Sequence, residues 1–190
     1  MKTNSKARNR QAGMSLIETM IAALILTIGV AAVASVYTQG ILFMGVSQDD
    51  FIAKEKAREA IESVFTARDN RDLPWYRICN QSGAGVAICG GPLGGGAFKD
   101  GPWPINDPGP DGLVNTVDDG PLQFIRIPGP SGQLNPTTDV LIPLAHHQRQ
   151  IIITDVPGFP NLRKLTVIMT YQSGRLQRTY QLITYISKYS

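Results

Sequence analysis

The feature that most constrains the fold is a long apolar run near the N-terminus. No charged residue occurs from Thr19 to Gln48. The densest part of the run, from Met20 to Tyr37, is about long enough to cross a hydrocarbon core of ~30 Å as a helix. Four basic residues precede the run: Lys2, Lys6, Arg8 and Arg10. Because no basic residue follows it until Lys54, the sequence predicts one span with a cytoplasmic N-terminus and an outward-facing remainder.

The overall charge carries no independent argument for nucleic-acid binding. The chain has 190 residues and a formal net charge of +3. If the four basic residues that precede the run are removed by processing, that charge becomes −1. Apolar residues make up 43% and charged residues 17% of the chain, which indicates a globular protein with one anchor.

Glu18 lies where the apolar helix begins. A carboxylate within a membrane costs roughly 2.5 to 3.5 kcal/mol, so it requires a partner. Cleavage between Gly13 and Met14 would create one, because the new amine of Met14 would lie at the i, i+4 spacing from Glu18. A plain signal-anchor helix and a removed signal peptide are the alternatives, and neither explains Glu18.

With these features the sequence resembles the type IV prepilin family. The matching features are a short basic leader ending in Gly13, an apolar residue at Met14, "SLIE" ending in Glu18, and a long hydrophobic helix. The resemblance implies that a prepilin peptidase cleaves after Gly13 and methylates the amine of Met14. It also implies that Glu18 pairs with the N-terminus of a neighbouring subunit. Met14 replaces the phenylalanine commonest in major subunits, which fits a minor subunit.

Beyond the span, apolar residues at 3- and 4-residue spacings predict that the helix continues to Thr66 or Arg68. Pro74 follows its expected end. The residues of the expected apolar face are Ile41, Met44, Phe51, Ile52, Ala60, Ile61, Val64 and Phe65. The chain thus divides into a leader, a membrane helix, an amphipathic continuation, a Gly/Pro-rich irregular region and an antiparallel sheet, namely 1–13, 14–38, 39–68, 69–121 and 122–190.

Five strand-like runs follow in the last third: "LQFIRI", "DVLIPL", "RQIIITDV", "RKLTVIMTYQ" and "RLQRTYQLITYIS". Ser173-Gly174 separates the last two as a hairpin signal. Alternation places one apolar face on the fourth run, at Leu165, Val167, Met169 and Tyr171, and the partner face at Leu182 with Tyr185 or Ile183. The predicted fold is α+β, with a long N-terminal helix packed on an antiparallel sheet of about four strands. The prepilin resemblance implies the same architecture.

Cys79 and Cys89 are the only cysteines. In an exported domain this pair predicts a disulfide that closes a short loop and contributes roughly 2 to 3 kcal/mol. In the cytosol the two residues would be thiols.

A cluster of oxygen-bearing side chains lies between Lys99 and Arg126, where five residues are acidic and none is basic. Such ligands on a Gly-bent loop suit calcium, which takes six to eight oxygens. Turn residues of this kind also bond their own backbone, so a solvated loop is the alternative. The prepilin resemblance favours calcium slightly. The candidate ligands are Asp107, Asp111, Asn115, Asp118 and Asp119.

Other polar features predict no chemistry. His146 and His147 are adjacent and would face opposite ways on a strand, so a shared metal is not expected. The segment "GGPLGGG" lacks the residues of a phosphate loop and is interpreted as a flexible connector. Basic residues dominate from 149 onward and suggest a solvated strand face, a docking face for another subunit, or weak DNA contact. They are Arg149, Arg163, Lys164, Arg175, Arg178 and Lys188.

The sequence therefore predicts a non-enzymatic structural subunit, a minor pilin of a type IV pilus. Its expected partners are the prepilin peptidase, other pilin subunits and the inner membrane, with the head in the periplasm before incorporation into the pilus. Two alternatives stay open. One is a minor pseudopilin of a type II secretion system, which shares the leader and the helix. The other is a signal-anchored periplasmic enzyme or binding protein.

Overall fold

The computed structural model describes residues 15–90, 94–130, 132–135, 137–174 and 176–189. The chain divides into two compact units, residues 1–44 and 45–190. The fold is α+β, as predicted. Its elements are helix α1 (Leu16–Asp69), a 3-10 helix (Trp75–Arg77) and strands β1 (Trp103–Pro104), β2 (Phe124–Ile127), β3 (Val140–Pro143), β4 (His147–Val156), β5 (Phe159–Ser173) and β6 (Leu176–Ser187).

Helix α1 ends at Asp69, one residue beyond the later of the two predicted ends. The N–H groups of Asp72 and Leu73 both donate to the carbonyl of Ala67. Arg71, between them and the helix, adopts a left-handed conformation with φ of 67°. These contacts satisfy a terminal helix carbonyl and turn the chain away from the helix axis.

The buried face of α1 in the second unit consists of small side chains. Spacings of four and three residues place them in one stripe of the helix. They are Ala53, Ala57, Ala60, Val64 and Ala67. Of the residues predicted on this face, Ile41 and Met44 lie in the first unit and are exposed, and Phe51 is 64% exposed. Two residues before Ala53, it points to the opposite side of a helix that turns about 100° per residue.

The main sheet has four antiparallel strands in the order β1-β4-β5-β6. The predicted hairpin joins β5 to β6, with Ser173 paired to Leu176 and Gly174 at a φ of 62°. The predicted apolar face of β5 is buried throughout. On β6, Leu182 packs against the core, whereas Ile183 and Tyr185 are exposed on the other face.

Two features of the sheets differ from the prediction. The short strand β1 lies in the region expected to be irregular, where Trp103 pairs with Arg149. The first two predicted strands, β2 and β3, form a separate two-stranded sheet. The outward edge of β4 is occupied by β1 and by loops, which leaves β2 and β3 to pair with each other.

Side chains from the irregular region cover the outer edge of β4. The amide of Asn80 donates to the carbonyl of Ile151 (2.7 Å) and accepts from the N–H of Ile153 (2.9 Å). The amide of Asn115 donates to the carbonyl of Arg149 (3.0 Å). Further along, the N–H of Asp155 donates to the carbonyl of Gly85 (2.8 Å). The loops thus replace a neighbouring strand along β4.

Arg163 is 1% exposed and joins β5 to the first part of the irregular region. Its guanidinium donates to the backbone carbonyls of Trp75, Ile78 and Ile88 and to the carboxylate of Asp155. The same group lies 4.3 Å from the centroid of the Trp75 ring, a cation–π distance. Burial lowers the pKa of Arg163, and Asp155 opposes that shift.

The prediction of a basic strand surface is therefore wrong for two of its residues, Arg149 and Arg163. Arg149, like Arg163, faces the core and is fully buried. Its Nε donates to the side-chain oxygen of Asn115 (2.9 Å), and burial lowers the pKa of Arg149 to about 10. Both arginines bond loops of their own chain, so neither is available to a DNA phosphate. Arg175 lies outside the described residues.

We expect Arg163→Met to destabilise the head by about 3 kcal/mol or more, because it leaves several buried carbonyls without a donor. Chemical unfolding of the full chain in detergent, followed by the fluorescence of Trp75 and Trp103, measures this change. Lys164→Met is the matched control, since Lys164 lies on the opposite face of β5, and it should change stability by less than about 0.5 kcal/mol. Equal losses in the two variants would contradict the structural role of Arg163.

Candidate functional site: the N-terminal helix and its head

Glu18 lies in the first turn of α1. The N–H groups of Glu18 and Thr19 donate to the carbonyl of Ser15, the residue before the helix. Ser15 and Glu18 also fit the S-x-x-E pattern of a helix N-terminus, a signal that the sequence prediction did not use. Among the described residues, Glu18 has no ion-pair partner. Gly13 and Met14, the predicted cleavage site, lie outside the described residues.

The first unit contributes an apolar helix surface with no cover from its own chain. Every large apolar residue from Leu16 to Met44 is at least half exposed. By length and composition alone, this part of α1 could cross a membrane. The hydroxyls of Thr19, Thr27 and Thr38 donate to backbone carbonyls three or four residues earlier, so these polar groups are satisfied within the helix.

Asp50, the second charged residue after the apolar run, attaches the helix to the sheet. Asp50 accepts a hydrogen bond from the hydroxyl of Tyr171 (2.7 Å) and forms an ion pair with Arg178 (3.2 Å). Burial, followed by the bond to Asp50, raises the pKa of Tyr171 to about 12. The phenol therefore stays protonated and remains a donor at any physiological pH.

The adjacent histidines occupy different environments. His146 is exposed in a turn, whereas His147 is buried at the start of β4 and stacks on Tyr171 at 5.6 Å. Burial lowers the pKa of His147, so its ring is neutral at pH 7. Within the described part of the chain, no group of three or more His, Cys, Asp or Glu side chains is placed to hold a metal ion.

Cys79 and Cys89 form a disulfide that closes a loop next to the Arg163 contacts. The chain returns beside this loop through an isolated bridge between Asn80 and Phe98. Gly96 passes so close that a Cβ there would lie 2.0 Å from the carbonyl oxygen of Cys79. The last glycine of "GGPLGGG" is thus required for close packing, a role that the connector interpretation did not include.

The predicted calcium ligands take several separate internal bonds. Asn115 caps the edge of β4, and Asp119 lies 3.8 Å from Lys99, whose ammonium also lies over the ring of Trp103. Asp111 accepts from the N–H of Leu113 (2.8 Å). The remaining contacts join the hydroxyl of Thr116 to Asp118 and Asp119, and the backbone of Asp107 to Gly120 and Pro121. These bonds favour the alternative of a loop held by its own side chains.

Three of the carboxylates nevertheless interact electrostatically. Burial raises the pKa of Asp111, the bond from Leu113 opposes the shift, and the charges of Asp118 and Asp119 raise the pKa further. A raised pKa means that the folded state holds the proton more tightly than the unfolded chain does. Ionisation of Asp111 therefore costs stability as the pH rises through its folded pKa.

Comparison with known proteins identifies the N-terminal segment. Residues 8–34 match the family model described as the prokaryotic N-terminal methylation motif. No curated protein matches the chain, and no solved structure matches it.

The matched motif is the type IV prepilin-like leader signature, so the resemblance inferred from the sequence is confirmed. The motif supports a type IV pilin-like or pseudopilin protein, a class whose members are structural. The apolar helix at the N-terminus is consistent with membrane anchoring of such a protein.

We expect Asp111→Asn to raise the melting temperature of the full chain at pH 7, because it removes an ionised group that the fold disfavours and keeps the oxygen that accepts from Leu113. The gain should shrink as the pH falls towards about 4, where aspartate protonates in the unfolded chain as well. Glu62→Gln, at an exposed position of α1 outside the cluster, is the control. An unchanged melting temperature at both pH values would contradict the repulsion argument.

Calcium binding by this loop remains a proposal and makes a separate prediction. A bound ion would relieve the repulsion, so the wild type should melt several degrees higher in millimolar calcium than in chelator. The difference should be smaller in Asp118→Ala. If the wild type melts at the same temperature in calcium and in chelator, the loop does not bind calcium.

Proposed function

We propose that this protein is a minor pilin, a non-catalytic subunit of a type IV pilus that enters the filament through its N-terminal helix. The observation that carries the proposal is the combination of the methylation motif, Glu18 in the first turn of α1, and an apolar helix surface that its own chain leaves exposed. Such a surface requires lipid or other helices, and a filament core provides the latter.

In this proposal a prepilin peptidase removes residues 1–13 and methylates the amine of Met14. Before assembly, the subunit remains anchored in the inner membrane with its head in the periplasm. On assembly, Glu18 pairs with the terminal amine of a neighbouring subunit, which offsets the cost of holding a carboxylate among apolar helices. Met14, in place of a phenylalanine, supports a minor rather than a major subunit.

A minor pseudopilin of a type II secretion system is the second candidate, favoured by the same motif and the same helix. The two candidates differ in where the mature subunit accumulates. A pilus subunit appears in filaments sheared from the cell surface, whereas a pseudopilin stays in the envelope. Neither candidate requires a catalytic group in the head. A signal-anchored periplasmic enzyme or binding protein would instead keep an uncleaved N-terminus.

Processing is tested by mass spectrometry of the protein extracted from its native membrane. The mature N-terminus should be Met14, heavier by one methyl group than the unmodified chain. Gly13→Leu should block the cleavage, whereas Ala12→Ser should permit it. A chain that retains its leader in the wild type would refute the proposal.

Assembly is tested by substitution of Glu18. Glu18→Gln keeps the size of the side chain and removes its charge, so cleavage should proceed while the amount of subunit in sheared filaments falls at least tenfold. Thr19→Ala is the matched control, since the hydroxyl of Thr19 bonds only within the helix. If Glu18→Gln enters filaments as well as the control does, the pairing role of Glu18 is wrong.

A further inference from the structure

One side chain of the main sheet holds both arms of the loop that the disulfide closes. Cys79 and Cys89 are ten positions apart, and their Cα atoms lie 5.8 Å apart. The guanidinium of Arg163 donates through Nη1 to the carbonyl of Ile78 (2.7 Å) and through Nη2 to the carbonyl of Ile88 (2.7 Å). These carbonyls belong to the residues directly before the two cysteines. One planar group therefore joins nearly the same two points of the chain as the disulfide does.

Asp155 strengthens the hold on the second arm, the part of the loop that precedes Cys89. One carboxylate oxygen of Asp155 accepts from Nε of Arg163 (3.1 Å), and the other accepts from the N–H of Ala87 (2.7 Å). Arg163 also donates to the carbonyl of Trp75 on the first arm. We call Arg163 and Asp155 the clamp. Hydrogen bonds to charged groups are stronger than neutral ones, so the clamp fixes the position of both arms.

The clamp does not need the disulfide in order to form. Arg163 and Asp155 lie directly opposite each other in the pairing of β4 with β5 and are eight positions apart. The turn between the strands contains Gly158 with φ of 82°, so the pair belongs to a local hairpin. The N–H of Gly90 also donates to the carbonyl of Tyr76 (2.8 Å), which joins the two arms beside the cysteines. Groups other than the sulfur atoms therefore hold the loop closed.

We propose that the clamp brings the thiols of Cys79 and Cys89 together before they are oxidised. Arg163 and Asp155 are thus positioning residues for the formation of the disulfide. Without the clamp, closure of the loop by the cysteines has to overcome the chain entropy of the loop. With the clamp formed, the hydrogen bonds to the sheet have already offset that entropy. The proposal is independent of cleavage at Gly13 and of filament assembly.

The oxidation consists of two thiol–disulfide exchanges with a small disulfide oxidant, here oxidised glutathione. In the first exchange, the thiolate of one cysteine attacks the oxidant, forms a mixed disulfide and releases one glutathione. In the second, the thiolate of the other cysteine attacks the mixed disulfide, closes the bond between Cys79 and Cys89 and releases the second glutathione. The protein loses two electrons and two protons, and the oxidant gains them as two thiols. Only the second exchange depends on the distance between the cysteines, so the clamp acts on that step.

The test follows the second exchange in the full chain, purified in detergent and reduced with a dithiol. Oxidised glutathione is added, samples are quenched by alkylation, and mass spectrometry separates free thiols, mixed disulfide and closed disulfide. Arg163→Lys keeps the positive charge but loses the fork that reaches both arms. Its closure from the mixed disulfide should slow about tenfold or more, because the two thiols lose their effective concentration. The mixed disulfide should then accumulate, while the first exchange keeps its rate.

Asp155→Ala is the milder second variant, because it leaves the three carbonyl bonds of Arg163 in place. It removes the bonds to Ala87 and to Nε of Arg163, so closure should slow about threefold or more. If reduced Arg163→Lys is unfolded, as judged by tryptophan fluorescence, Asp155→Ala decides the question.

Two control variants lie on the same strand as Arg163. Met169→Ala opens a cavity in the core without touching the loop, and Lys164→Met removes a charge on the opposite face. Both should close the disulfide at the wild-type rate within about twofold, since neither changes the clamp. Closure at the wild-type rate in folded Arg163→Lys and Asp155→Ala would overturn the proposal. An equal slowing in Met169→Ala would also overturn it, because the clamp residues would then act only through the overall stability of the head.

Discussion

Buried polar backbone in the irregular region can persist only where side chains supply the hydrogen bonds that a regular element would have provided. In this head, three residues supply most of these side-chain hydrogen bonds. Asn80 and Asn115 bond the outward backbone groups of β4, as a neighbouring strand would. Arg163 donates to three backbone carbonyls of the segment around the disulfide. The sheet and the loops therefore stabilise each other, and neither forms a complete core alone.

Sequence periodicity predicted the parts of the fold that local patterns determine. The helix, the hairpin at Gly174 and the buried face of β5 follow from spacing and turn chemistry. The roles of Asn115 and Arg149 did not, because each depends on a partner 34 positions away, and a sequence shows no sign of such a partner. An asparagine among aspartates is easily interpreted as a metal ligand, and an arginine in a strand is easily interpreted as a surface residue.

Helix α1 has a different surface in each of the two units. In the first unit, apolar side chains stay uncovered and hydroxyls turn back to the backbone, which suits lipid or neighbouring helices. In the second unit, the helix presents polar residues to solvent and a narrow stripe to its own core. Asp50 lies near the start of the second unit, where its carboxylate accepts a hydrogen bond from Tyr171 and pairs with Arg178 of the sheet.

The alanine stripe of α1 has a consequence for how evolution can vary the head. Alanine loses no rotamer freedom on burial, so this contact costs little side-chain entropy, yet it also leaves no room for growth. A larger residue at Ala53, Ala57 or Ala60 would force the backbone of the helix away from the strands. Diversity among related heads should therefore accumulate in loops and on outer strand faces, while the stripe stays small.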